Sequence, residues 1–202
     1  MKFLKEHLYD TIKLYITQLG ITIFALIMYT ASGAISEDST VSVTIQIAIS
    51  VFSILFYFTL LYTAAWDWGA KDKIRIDAGR MSPHKTKGLL LALIANVPNF
   101  ILCALAIISF VFCLNGTEGA FVSIGTISML IIRFTAAMHQ GLIKNVIDAL
   151  ASSATPYLFY LIQSLAYLFM FFLSVAVTHI GYFFGTKEFK IFGFIKKQKN
   201  SE

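Results

Sequence analysis

Four long runs of this chain carry no Asp, Glu, Lys or Arg: residues 14–35, 41–66, 89–114 and 158–184. No other feature constrains the fold as strongly. At a rise of about 1.5 Å per residue, an apolar helix of about 20 residues crosses a hydrocarbon core of about 30 Å. Charged residues make up only 13% of the chain, against about 25% in ordinary soluble domains. The expected fold class is therefore all-α, a polytopic membrane helix bundle forming one integral membrane domain over residues 1–202. The lipid bilayer is its first partner.

Sidedness is read from the positive charges. Lys2, Lys5 and Lys13 precede the first run. Lys71, Lys73, Arg75, Arg80, Lys85 and Lys87 lie in the segment 67–88, and Lys187, Lys190, Lys196, Lys197 and Lys199 lie in the tail 186–202. The turns "SEDST" and "NGTEG" contain none. Lys and Arg accumulate on the cytoplasmic side of membrane proteins. The start 1–13, the basic loop 67–88 and the tail are thus expected in the cytoplasm, with both termini there, in a multi-pass protein of the cell membrane. The start "MKFLKEHLYDTIK" reads as an amphipathic cytoplasmic segment, because the apolar run behind it is too long for a cleavable signal. The net charge of +5 flanks spans rather than forming one face, so no nucleic-acid partner is expected.

Cytoplasmic termini require an even number of crossings, yet a fifth apolar stretch exists. Residues 121–132 are too few to span before Arg133. Beyond it, at helical spacing, Arg133, Gln140 and Lys144, with Asp148 at the edge, share one face, and Ile131, Met138, Leu142 and Val146 share the other. Residues 121–151 are read as a partial insertion followed by an interfacial amphipathic helix. The alternative is five full spans, with Arg133 inside the bundle at a cost of roughly 2.5–3.5 kcal/mol on insertion scales.

Polar side chains within spans are candidates for function by default. They are Asn96, Asn99, Gln163 and His179, together with Gln46, and with Arg133 and His139 from the partial segment. Pro98 removes a backbone hydrogen bond between the two asparagines and is expected to kink the third span. Helix–helix hydrogen bonding is the simpler reading of the same residues. Gly181 and Gly185 form a GxxxG pattern that reads as a close-packing or dimer face, or as a fraying helix end. Trp66, Asp72, Arg75, Arg80 and Lys87 mark a candidate cytoplasmic docking loop. Its counterpart is a membrane or cytoplasmic protein, or anionic lipid headgroups, although Asp67, Asp72 and Asp77 dilute its positive charge. Cys103 and Cys113 read as buried small hydrophobes. No nucleophile with a base, paired carboxylates, phosphate loop or metal-ligand spacing can be assembled. Neither an enzyme nor a cofactor is expected.

The stretch "AAWDWGAKDKIRIDAGRMSPHKTKGLLLALIANVPNFIL" and the ending "HIGYFFGTKEFKI" resemble small, uncharacterised polytopic membrane proteins of Gram-positive bacteria. Trp66, Gly69, Asp72, Gly79, Arg80, Lys87, Gly88, Pro98, Gly181, Tyr182, Gly185 and Lys187 carry the resemblance. It implies a bacterial membrane protein and brings no activity. The expected function is that of a non-enzymatic accessory or assembly subunit with a cytoplasmic docking loop. A small transporter or channel-like protein is the alternative.

Overall fold

The computed structural model describes residues 7–35, 39–82, 84, 86–151 and 153–189. Lys2, Lys5, Lys85, Lys190, Lys196, Lys197, Lys199, Glu37 and Asp38 lie outside the described residues. The described chain is helical throughout: α1 (Leu8–Ile35), α2 (Ser39–Asp77), α3 (Lys87–Ala95), α4 (Val97–Leu114), α5 (Ala120–Thr135), a 3-10 turn (Ala137–His139), α6 (Gln140–Leu150) and α7 (Pro156–Thr186). Among the described residues, four helices are long and apolar enough to span: Leu8–Ser32, Thr40–Asp77, Val97–Leu114 and Pro156–Thr186. Apolar side chains such as Ile16, Ile27, Phe52, Leu55, Ile101 and Phe169 stay exposed on them, as a lipid-facing surface requires.

The second span does not stop at Trp66. α2 runs for 39 residues, about 58 Å, so the expected loop 67–88 is mostly helix. Lys71 pairs with Asp67 at 2.5 Å and Lys73 with Asp77 at 3.0 Å, both at the i,i+4 spacing that supports a helix. The helix ends at Gly79, with φ of 68°. There the Gly79 amide donates to the Ile76 carbonyl and the Arg80 amide to the Arg75 carbonyl, each at 2.9 Å, the paired bonds of a Schellman cap.

The third span is interrupted, as Pro98 predicts. The ring excludes a regular turn before it. α3 therefore stops at Ala95, Asn96 adopts φ −91° and ψ 1°, and α4 resumes with Pro98 in its first turn.

Side-chain contacts fix the direction of each helix. Lys13 and Thr17 of α1 share a cleft with Leu60, Thr63, Ala64 and Asp67 of α2, so these two run antiparallel. A Cβ on Gly88 would strike Tyr182. Phe100 packs on Phe172 at 5.1 Å and Phe110 on Tyr160 at 5.4 Å between ring centroids. Hence α3 and α4 run antiparallel to α7. Phe121 stacks on Phe112 at 4.6 Å and Gly125 lies against Phe110 and Ser109, so α5 runs antiparallel to α4. Finally, α7 runs parallel to α2, with Gly181 on Tyr62 and Gly185 on Trp66.

These directions settle the fifth stretch. α4 ends, α5 begins and α7 begins at the same end of the bundle, here called the far end. The opposite, basic end carries Lys13, Lys71, Lys73, Arg75 and Lys187. The segment 120–150 therefore leaves the far end and returns to it. α5 and α6 are bent by 86° about the 3-10 turn, which makes a re-entrant hairpin. α6 comes back along α2: a Cβ on Gly141 would meet Ser50 Oγ at 2.5 Å and the Gln46 carbonyl. Asn145 donates to Gln46 Oε1 at 3.2 Å.

The break corrects the expected stripes. Arg133 and Lys144 belong to different helices, and the buried face of α6 is Gly141, Ile143 and Ile147. Met138 is fully buried while Val146 is 40% exposed, so they share no oily face. Lys144 pairs with Asp148 at 2.9 Å on the exposed side.

The glycine pattern of α7 is an internal contact. Adding a Cβ would drive Gly181 to 2.6 Å from the Tyr62 carbonyl oxygen, Gly185 into that of Trp66, and Gly69 of α2 into that of Tyr182. Only glycine lets these backbones approach so closely.

Single cysteines in a chain with Cys103 and Cys113 replaced by serine test the hairpin. At positions 117 and 144 they should react with a membrane-impermeant thiol reagent from one face, and at position 80 from the other. Labelling of 144 from the face that labels 80 would mean a fifth crossing.

Candidate intramembrane polar site

The two interrupted backbones, at Asn96 and at 136–139, meet α1 inside the bundle. α5 ends at Thr135, whose carbonyl is released from helical bonding. Gln18 Nε2 donates to it at 3.2 Å and Thr22 Oγ1 at 3.0 Å. Gln18 Oε1 in turn accepts from Asn99 Nδ2 at 2.9 Å. Asn99 Nδ2 also reaches Asn96 Oδ1 at 3.1 Å, and Asn96 Nδ2 donates to the Ala92 carbonyl at 3.0 Å. One connected chain thus runs from α3 through α4 and α1 to the hairpin tip. Gln18, Thr22, Asn96 and Asn99 are all buried. In hydrocarbon every freed backbone group needs a partner of this kind.

His139, at the tip, is fully buried, and among the described residues neither ring nitrogen has a partner. Its ring meets the edge of Phe171 at 6.3 Å. Ser53 of α2 is also fully buried with an unpartnered Oγ, and Asn99 Oδ1 is unpartnered too. The register puts these at one depth. Ser50 faces Gly141 and Tyr57 lies beside Ser174. Ser53, between Ser50 and Tyr57 on the same face of α2, therefore lies level with His139 and Phe171. Phe100, next to Asn99, packs on Phe172. The result is a belt of neutral polar groups around the hairpin tip. Apolar clusters cover it toward the basic end (Leu14, Leu61, Leu91, Met138) and toward the far end (Phe110, Met129, Ile132, Tyr167).

The remaining candidates fall elsewhere. Arg133 donates from Nη2 to Gln163 Oε1 at 2.7 Å and lies over the Tyr160 ring at 5.6 Å. Gln163 precedes Phe171 by roughly 12 Å of helix, so this pair sits nearer the far end than the belt. His179 stands apart, half-buried with its Nδ1 enclosed and unpartnered. Among the described residues, no three His, Cys, Asp or Glu side chains gather as a metal site would need. Cys103 and Cys113 are buried and free.

The candidate docking loop divides. Asp72 is only 2% exposed and Lys87 4%. They pair at 2.7 Å, and the Tyr182 hydroxyl donates to the same carboxylate oxygen at 2.9 Å. These two residues are an internal joint of α2, α3 and α7 and are not available for docking. Charge spacing along the sequence does not reveal this, because the partners come from three helices. Trp66 donates from Nε1 to the Phe189 carbonyl at 2.8 Å. Arg75 lies 3.7 Å from Asp72 with its side chain 62% exposed, and Arg80 is exposed. Eight residues that carry the resemblance, Trp66, Gly69, Asp72, Lys87, Gly88, Gly181, Tyr182 and Gly185, meet at this joint.

Gln18, Thr22, Ser53 and Tyr182 were not among the candidates read from the sequence. Gln18 had a visible signal, as an amide in the middle of an uncharged run. Thr22 and Ser53 had none, since serine and threonine are ordinary in spans, and Tyr182 was marked only by the resemblance. No known protein family, curated protein or solved structure matches the chain.

Removing one partner of a buried ion pair is costly, about 3–5 kcal/mol, whereas an apolar replacement of both is often tolerated. Lys87→Met alone should thus destabilise the folded protein severely, and Lys87→Met with Asp72→Leu should restore much of the loss. Thermal unfolding in detergent measures both, and equal destabilisation by the single and double variants would contradict an internal ion pair.

Proposed function

We propose that this protein is a small, non-enzymatic transport protein of a bacterial cell membrane. The observation that carries the reading is the meeting of two interrupted helices with buried, partly unpartnered polar side chains at one depth. Discontinuous helices whose ends face polar groups near mid-membrane are the usual form of solute and ion sites in transporters. Irregular backbone at that depth is tolerated where it is enclosed by protein or lines a polar path. Asn99, Ser53 and His139 supply neutral donors and acceptors, so the solute in this reading is small, polar and uncharged. The hairpin is the moving part. Its tip is held by two side-chain bonds from α1, and these are easily exchanged for bonds to a solute. The basic end faces the cytoplasm in this reading, supported by Lys13, Lys71, Lys73, Arg75, Arg80 and Lys187 at that end.

The second reading is an accessory subunit that docks a cytoplasmic partner. It is favoured by the helical extension of α2 at the basic end, where the exposed Arg75 and Arg80 remain available after Asp72 and Lys87 are consumed internally. Trp66 borders that surface.

Purified protein in phosphatidylcholine liposomes separates the two. With urea, glycerol and acetamide as probes, the transport reading predicts light-scattering relaxation faster than in protein-free liposomes for at least one solute. Asn99→Leu should lower that excess rate at least tenfold while the protein stays folded. Rates equal to empty liposomes for all three, together with a stoichiometric protein retained on mild purification, would replace this reading with the docking one.

A further inference from the structure

Among the described residues, no carboxylate pairs with Arg133. Among the described residues its side chain has one hydrogen-bond partner, the neutral Gln163 carboxamide, and one ring beneath it, Tyr160. A guanidinium carries five N–H donors, and charges inside spans are as a rule paired. The side chain borders a cavity of about 100 Å³ lined by Phe110, Thr126, Met129, Leu130, Arg133 and Tyr160. Phe110 and Met129 form its buried floor, at 1% and 2% exposure. Leu130, 53% exposed, and the exposed Thr126 form its mouth. The surroundings of that mouth are apolar, with Ile127 at 57% and Ile131 at 40% exposure. The opening therefore lies on the exposed flank of α5.

We infer that Arg133 holds the phosphate of an anionic phospholipid from the leaflet at the far end. The fork of the guanidinium matches two oxyanion oxygens, and such bidentate pairs are the strong ones. The Thr126 hydroxyl adds a donor at the mouth. A cavity of this size has room for a phosphate group beside the guanidinium. The chains then lie outside and deeper, along the exposed Ile131 and Phe134. A net negative headgroup supplies the missing charge, whereas a choline headgroup brings its own cation and leaves Arg133 uncompensated. The Gln163 bond orients the fork, and the Tyr160 ring supports its face. This site lies nearer the far end than the polar belt and does not depend on the transport reading.

Thermal unfolding of delipidated protein in detergent tests the inference. Phosphatidylglycerol should raise the transition by about 5 °C, and phosphatidylcholine and inorganic phosphate should not. Arg133→Gln should abolish the rise, since glutamine can still bond Gln163 but carries no charge. Thr126→Phe should abolish it as well by filling the mouth with Arg133 in place, and it decides the matter if Arg133→Gln does not fold. The inference is overturned by a rise that survives in Thr126→Phe or in folded Arg133→Gln. A rise equal with inorganic phosphate would overturn the lipid source in favour of a soluble anion. The absence of any rise in the unmodified protein would overturn the site itself.

Discussion

The architecture depends on the glycine contact between α2 and α7. Gly69, Gly181 and Gly185 carry no side chains, so the two backbones touch where any Cβ would collide with a carbonyl. The contact fixes α7 parallel to α2, and the other directions follow. α3 and α4 fill the antiparallel place beside α7, and α7 must begin at the far end where α4 finished. The chain between them, residues 115–155, must leave that end and return to it. α5 and α6 take that place as a hairpin, with its tip against Phe171 and its return limb on Ser50. The buried pair of Asp72 and Lys87, with Tyr182, ties the same joint at the basic end. Helices in lipid gain little from simple apolar contact, so close backbone approach and a few polar bonds decide their arrangement.

A hairpin tip at mid-depth creates a second requirement. Each backbone carbonyl released by the break must be satisfied by protein. Gln18 and Thr22 do this for Thr135, and Gln18 is itself held by Asn99. The interruption at Asn96 and the one at the hairpin are thus linked through a single side chain of α1. Movement of either break changes the bonding of the other. This coupling, rather than any single residue, makes the belt a candidate path, and it leaves His139 and Ser53 buried with unused bonding capacity.

Much of this was legible in the sequence because hydrocarbon imposes simple rules. Uncharged runs gave the four spans, Pro98 gave the interruption of the third, and Arg133 after a short apolar run gave a segment that does not cross. The helical reach of α2 past Trp66 was missed because its charges look like a loop. They are in fact i,i+4 pairs, with the stop at Gly79. The break at Ala136 was missed because Thr135, Ala136, Ala137 and Met138 carry no local signal against a helix, and the bend is set by bonds from α1. Asp72 and Lys87 read as surface charges because their mutual burial is a tertiary fact. Gln18 was readable, by the same rule that picked out Asn96 and Asn99.

The direction of α7 is the central claim, and distances between paired nitroxide labels measure it most directly. Val43, Leu158 and Ile180 are exposed on α2 and α7 at 38%, 39% and 45%, so labels there leave the core intact, again with both native cysteines replaced. A parallel α7 makes the 43–158 distance shorter than the 43–180 distance by roughly 10–20 Å, since positions 158 and 180 are about 33 Å apart along the helix. The reverse order, with 180 nearer to 43, would mean that α7 starts at the basic end, that residues 120–150 cross completely, and that the hairpin and the belt built around its tip do not exist.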